Sequence, residues 1–374
     1  MHIPDGYLSP QTCAVMYGAA VPFWAVAGRR VRKVVKNRCV PLLALGAAYC
    51  FLVMMFNVPI PDGTTAHAVG GVLVAVLLGP WAAVIAVSTA LLIQAFFFGD
   101  GGVLAYGANC VNMAIVMPFV GYAVYRALAR GTSLTSARRP LAAGFGAYVG
   151  INAAALCAAV EFGLQPDLFY KTSASGAKVP LYAPFHLSQT VPTMLLAHLL
   201  VAGVVDLVLT AGVVAYLQRA NLPVLRINHD AVPETDADLP APRKIGLRGA
   251  RIGMVGALLL VPLGLLASGT AFGEDGPSDL DLEKYGLRAV PAGLSKYSDW
   301  WSHSLLPGYD FKDGGHPSVG YYASALVGTI LIAAVVIGSF KLAHALRRRD
   351  DAPDAPDALD EDRGAAVEQP AAAR

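Results

Sequence analysis

The residues best suited to chemistry stand at the start of the chain, Met1 and His2. An initiating methionine is normally retained when a bulky residue such as histidine follows it. No Lys or Arg precedes Arg29, so the basic region that opens a removable signal peptide is missing, and Met1 is expected to survive. A free α-amine, the amide nitrogen between Met1 and His2, and the His2 imidazole then close two fused chelate rings. His67 supplies a candidate fourth nitrogen, at the end of the loop in Asn57-Val-Pro-Ile-Pro-Asp-Gly-Thr-Thr-Ala-His67-Ala-Val-Gly-Gly71. Deprotonating a backbone amide is difficult, and only late first-row metals make it worthwhile. Four nitrogens in a plane suit Ni²⁺ or Cu²⁺ and accept low-spin Co²⁺, whereas Mg²⁺ and Ca²⁺ want oxygens. Each piece alone is weak. Histidine at position 2 is common by chance, and a lone interior histidine is more often a satisfied core residue than a ligand.

The elements that must position these residues are membrane helices. The chain has 374 residues, 55% hydrophobic and 14% charged, with a mean hydropathy of +0.52. Soluble proteins of this size carry about 25% charged residues, so much of this surface must face lipid. Apolar segments run over 11–28, 40–56, 66–79, 81–98, 103–125, 140–163, 187–217, 252–270 and 320–343. The segment 66–79 is short against the ~20 residues a span requires, which predicts a broken or tilted helix there. Four groups, 29–39, 126–139, 218–251 and 341–374, hold 22 of the 28 Lys and Arg. Basic residues collect on the cytoplasmic side, which predicts a plasma-membrane protein with its N-terminus outside and its C-terminus in the cytoplasm. Pro, Gly and Thr in 57–71 interrupt helix, and irregular backbone at membrane depth is tolerated where it is buried or lines a cavity. Pro4 and Gly6 let the leading peptide turn back into the bundle.

The expected organisation is a seven-span module at 1–220, a cytoplasmic linker at 221–251, and a second module at 252–349. The second module has two spans around an outer segment at 271–319, and 350–374 is expected to be a disordered cytoplasmic tail. The five cysteines lack CxxC spacing and read as small core residues. Trp300, Trp301, Pro307 and Tyr309 suit packing over the outer mouth or an interfacial aromatic belt. Glu161 and Asp100 fall near the outer face, where solvation accounts for them. Asp206 and Thr210 lie one turn apart and suit helix bracing or a subunit contact better than metal binding. His303 and His316 lie in the outer segment, where exposed histidines usually have no role. No Gly-x-x-x-x-Gly-Lys-[Ser/Thr] phosphate loop occurs, so the chain is expected to be neither an ATPase nor an enzyme.

The opening Met1-His-Ile-Pro-Asp-Gly-Tyr-Leu-Ser-Pro10 resembles that of the cobalt and nickel S components of energy-coupling factor (ECF) transporters, the CbiM/NikM family. Four further stretches are similar to that family's internal motifs: Asn57-Val-Pro…Gly63-Thr64-Thr65-Ala66-His67, Gln94 to Gly102, Gly107 to Met113, and Ala197 to Thr210. The resemblance covers about 1–220. It implies an all-α bundle of seven helices that holds its ion through the Met1 amine, His2 and His67. Gln94, Asn109 and Asn112, with Thr64 and Thr65 of the loop, match positions that support the site. Interhelical hydrogen bonding is the other account of the two asparagines. Asp62 and Ala66 stand where glycine-like residues are expected, and Asp206 where Glu is expected. Asp62 leaves open an additional carboxylate near the metal.

Residues 252–343 are similar to the accessory N component of the same systems, here fused to the S component. The implied cargo is Ni²⁺ or Co²⁺, for metalloenzymes or cobalamin biosynthesis, with no organic cofactor and no nucleic acid. The implied partners are a membrane scaffold subunit and a pair of cytoplasmic ATPases. Two rival readings remain at this level. A stand-alone secondary carrier would show repeats and charges at mid-membrane. An integral-membrane zinc enzyme using His67 and His198 would need a ligand pair at metal-binding spacing.

Overall fold

The fold follows from helices that are apolar on all sides, which is what lipid and a buried bundle core both require. The computed structural model describes residues 1–34, 39–60, 64–228, 247–267, 269–312 and 314–350. Asp62, most of the expected linker and the tail beyond Asp350 lie outside the described residues. Met1–Ile337 form one compact unit; the second, Gly338–Arg374, is described only where the last helix continues to Asp350.

After an N-terminal peptide, α1 spans Pro10–Val34, α2 Val40–Met54 and α3 Gly71–Leu78. Helix α3 has only 8 residues and breaks at Gly79; Pro80 at the first turn then starts α4, Pro80–Ile93. The short third segment is therefore a broken element. Helix α5 (Tyr106–Asn109), α6 (Met117–Ala129), α7 (Arg138–Leu168), α8 (Leu187–Ala197) and α9 (Gly203–Ala220) complete the first part. A helix Arg248–Leu260 and a long helix Pro317–Asp350 flank the segment 269–312.

Among the described residues, six continuous helical stretches are long and apolar enough to cross a membrane: Pro80–Phe98, Tyr106–Ala129, Arg138–Leu168, Leu187–Ala220, Arg248–Leu266 and Pro317–Ala343. The apolar Val40–Met54 is shorter. Strand structure among the described residues is confined to two short hairpins, Val58–Pro59 with Thr65–Ala66 and Tyr170–Thr172 with Lys178–Pro180. No disulfide joins the five cysteines.

Helices α6 and α7 touch backbone to backbone. A Cβ on Gly146 would lie 2.5 Å from the Gly121 carbonyl oxygen, so only glycine permits that approach. Small residues are the usual means of close packing where lipid supplies no hydrophobic drive.

Three of the spans carry a single π-helical turn: Gln94–Phe98 after α4, Cys110–Val116 between α5 and α6, and His198–Ala202 between α8 and α9. Each inserts one residue into the helical register and re-aims the side chains beside it. Gln94, Asn112 and His198, all buried, sit in these turns.

Candidate metal centre

The N-terminal peptide is buried inside the bundle. Met1, His2 and Ile3 are almost fully covered. Asn109 clamps the backbone of Ile3 from both sides: its Oδ1 accepts from Ile3 N at 2.8 Å and its Nδ2 donates to Ile3 O at 3.1 Å. The Gly102 amide adds a bond to the same Ile3 carbonyl at 2.8 Å. Side-chain amide and loop together treat Ile3 as a paired strand residue, which fixes the register of the two residues before it.

Asp5 anchors the next turn. Its carboxylate accepts from Val103 N (3.0 Å), Leu104 N (2.8 Å) and Ala105 N (3.1 Å), the amides that lead into α5. Such open amides at a helix start favour an anion. Burial nevertheless pushes the Asp5 carboxyl up, against the three amides that pull it down. Gly102 is required here, since a Cβ on it would sit 2.0 Å from Asp5 Oδ1. Hydrogen bonds to a charged group contribute ~1.5–3 kcal/mol each, so Asp5→Ala is expected to cost at least ~3 kcal/mol. A lowered midpoint of thermal unfolding in detergent checks this; an unchanged one contradicts the anchoring role.

His2 and His67 meet inside this frame, with ring centroids 4.9 Å apart. His67 follows the strand Thr65–Ala66; its Nδ1 lies 3.1 Å from the Ala68 carbonyl, and its buried Nε2 has no partner. With the proton on Nδ1, Nε2 offers a lone pair to the interior. His2 Nδ1 faces Asp100 Oδ1 at 3.2 Å. Burial lowers the His2 pKa to about 4, so the ring is neutral at ordinary pH and ready to coordinate.

One ligand-type side chain in the cluster was not foreseen. Glu274, from the segment 269–312, reaches the same point: its Oε1 accepts from the Met1 ammonium at 2.8 Å. Ligand atoms of His2, His67 and Glu274 all lie within 4.8 Å of one another. Burial works to raise the Glu274 carboxyl, but the N-terminal ammonium and the two imidazoles outweigh it and hold it below its usual range.

Asp100 is likewise part of the site and not a solvated residue. Gln94 Nε2 donates to its Oδ2 at 3.1 Å and to Tyr309 Oη at 2.8 Å, and Tyr309 Oη donates to the same Asp100 oxygen. Burial, then the nearby Glu274 carboxylate, push Asp100 up to about 6. Glu161 is buried too, accepting from Asn112 Nδ2 at 2.9 Å.

Of the sequence-predicted residues, Met1, His2 and His67 converge, with Asn109 and Gln94 one contact away. Asn112 joins α7, Thr64 Oγ1 donates to the Thr270 carbonyl at 3.1 Å, and Thr65 is buried in its strand. Trp301 Nε1 donates to Phe96 O (2.9 Å), and Tyr309, which stacks on Phe98 at 5.1 Å, bonds Gln94 and Asp100 beside the cluster. Trp300 is 53% exposed, His303 is exposed with its ring 5.6 Å from that of Trp301, and His316 is exposed.

An all-α bundle with membrane-length apolar helices around a buried cluster of His2, His67 and Glu274 defines a multi-pass membrane protein. The chain belongs to the CbiM family: the family model described as "Cobalt uptake substrate-specific transmembrane region" matches residues 2–223. The fused nickel transport protein NikMN of Rhodobacter capsulatus is 49% identical over 362 residues, covering 93% of this chain and 99% of that protein. The probable fused nickel transport protein LarMN of Lactiplantibacillus plantarum is 44% identical, covering 90% and 97%. A crystal structure described as a transition metal transporter is 55% identical with a TM-score of 0.54, covering 59% of this chain and 93% of that one.

Proposed function

We propose that this chain is the substrate-capture subunit of an ECF-type importer of Ni²⁺ or Co²⁺. On this reading residues 1–220 form the S component, and 252–349 an N-component-like module fused through the linker 221–251. The N-terminus lies outside and the C-terminus in the cytoplasm of a plasma-membrane protein. A scaffold subunit and two ATPases supply the energy. The observation that carries the reading is the convergence of the Met1 amine, His2 and the unpartnered His67 Nε2 in one sealed space.

The ion would be held by the Met1 amine, the His2 amide and imidazole, and His67. Two carboxylates hold the empty state in waiting. The fused chelate closes at His2 Nδ1, the nitrogen that faces Asp100, while the amine rests on Glu274. Binding therefore exchanges both carboxylate partners for the ion and releases protons from amine and amide. The negative charge left behind compensates the divalent cation in a medium where unpaired charge is costly.

Each displaced proton makes apparent affinity fall about tenfold per pH unit on acidification. His2, neutral above pH about 4, adds nothing to this slope between pH 8 and 6. Affinity measured by competition with a chelator is expected to drop by ~100-fold over those two units for one displaced proton and by up to ~10,000-fold for both; a flat profile contradicts amine and amide ligation. The transport role is tested by Ni²⁺ and Co²⁺ uptake in cells with and without the ATPase partners. Uptake that persists without them favours a self-sufficient carrier.

A further inference from the structure

We propose that a slot beside the helix Arg248–Leu260 binds one anionic phospholipid, with an acyl chain in the slot and the headgroup phosphate on Arg248 and Arg251. The inference goes beyond the metal centre and holds whichever ion is carried.

The slot is a cavity of about 250 Å³ walled by α2, α3, α9 and this helix. The helix contributes Ala250, Gly253, Met254 and Ala257, a single stripe at i, i+3, i+4 and i+7 that runs about 10 Å along the axis. The facing helices line it mainly with Leu and Val. A hydrocarbon-lined space does not hold water, and an elongated one between membrane helices suits a lipid chain lying parallel to them.

The way the helix meets the bundle shows why the slot exists. A Cβ added to Gly249 would lie 2.3 Å from Tyr216 Oη, and one added to Gly264 would lie 2.3 Å from the Met55 carbonyl oxygen. The stretch Arg248–Leu266 is therefore pressed against the bundle near both of its ends. Between these contacts it stands away: a Cβ on Gly253 would meet nothing within 4 Å. No residue of Arg248–Leu260 is buried, so the outer wall of the slot is one lipid-facing helix. Held near both ends, that helix leaves room for a chain but not for a further helix to enter beside it.

Charge selects the kind of lipid. The lining reaches Leu247 and Gly249, so the slot extends to the first turn of the helix, where Arg248 and Arg251 are exposed. That turn holds no acidic residue, and the positive end of the helix dipole adds to the two guanidinium groups. Basic groups at the mouth of a pocket between membrane helices recognise anionic headgroups. A bound chain would complete the contact between α2 and the helix that leads into the segment carrying Glu274.

The test uses the full chain, purified in mild detergent and supplied with phosphatidylglycerol or phosphatidylcholine, with retained lipid counted by native mass spectrometry. The parent is expected to keep one phosphatidylglycerol in preference to phosphatidylcholine. The double variant Arg248→Gln, Arg251→Gln is expected to bind phosphatidylglycerol roughly thirtyfold more weakly, as two basic residues near an anionic headgroup imply. Gly253→Leu, whose side chain would occupy the slot, is expected to retain no lipid while its Ni²⁺ affinity stays that of the parent. The arginine variants lie at the exposed mouth and decide the matter even if Gly253→Leu misfolds. Equal retention of the two lipids by the parent overturns the proposal, as does parental retention in either variant. Release of the lipid when the scaffold subunit binds would make the slot a face for that subunit and overturn it too. The readout is lipid, so failure of the nickel or cobalt assignment leaves the result standing.

Discussion

Acetylating the Met1 amine is expected to weaken Ni²⁺ binding by ~100-fold or more, since loss of a direct ligand exceeds the 10–100-fold cost of losing an outer partner. The chemical reason is the loss of the amine lone pair; the acetyl oxygen cannot replace it in a nitrogen plane. The structural reason is space. Met1 is buried against Glu274, and Ile3 is held by Asn109 and Gly102, so the peptide cannot slide to make room. Equilibrium dialysis of acetylated and native protein measures it. Equal affinities would mean that the amine is a bystander.

His67→Ala is expected to have an effect of similar size, again ~100-fold or more in affinity. The imidazole contributes only one hydrogen bond to the fold, its Nδ1 to the Ala68 carbonyl, and its Nε2 bonds to nothing. Stability should therefore fall modestly, by the few kcal/mol that a cavity costs, while binding collapses. The two measurements separate the roles. A variant that is strongly destabilised yet folded and keeps the parent's metal affinity would make His67 a core residue after all.

Much of this was legible in the sequence. The apolar runs gave the bundle, and the short third run anticipated the break at Gly79. Met1, His2 and His67 were each weak signals alone, and the resemblance of the opening and of the loop ending at His67 to one family's motifs joined them; the fold brings the three together.

Glu274 was not legible. It is one acid among Asp275, Asp279, Asp281 and Glu283, and no local pattern tells which of them turns inward; only the fold brings it 273 positions back to Met1. Asp100 read as solvated because Tyr309, which bonds its carboxylate, comes from 209 positions further along the chain, and the turn that folds Asp100 back onto Gln94 left no signature in the sequence. The π turns at Gln94, Asn112 and His198 were equally hidden. One extra residue in a helical register leaves no signature in an apolar run, although it decides which side chains face the interior.

The role of Asp5 shows the intermediate case. Pro4 and Gly6 announced a turn, and Gly6 does adopt φ +90°. That the residue between them would hold the amides of 103–105 required the second loop to be placed first.

The central claim is that nitrogen atoms of the N-terminal dipeptide and His67 grip the ion. X-ray absorption at the nickel edge, on protein loaded with one equivalent, reads the donor set directly. A four-donor shell dominated by nitrogen, converting to a different shell when His67 is replaced by alanine, is the predicted result. A six-coordinate shell rich in oxygen, indifferent to that substitution, would contradict it.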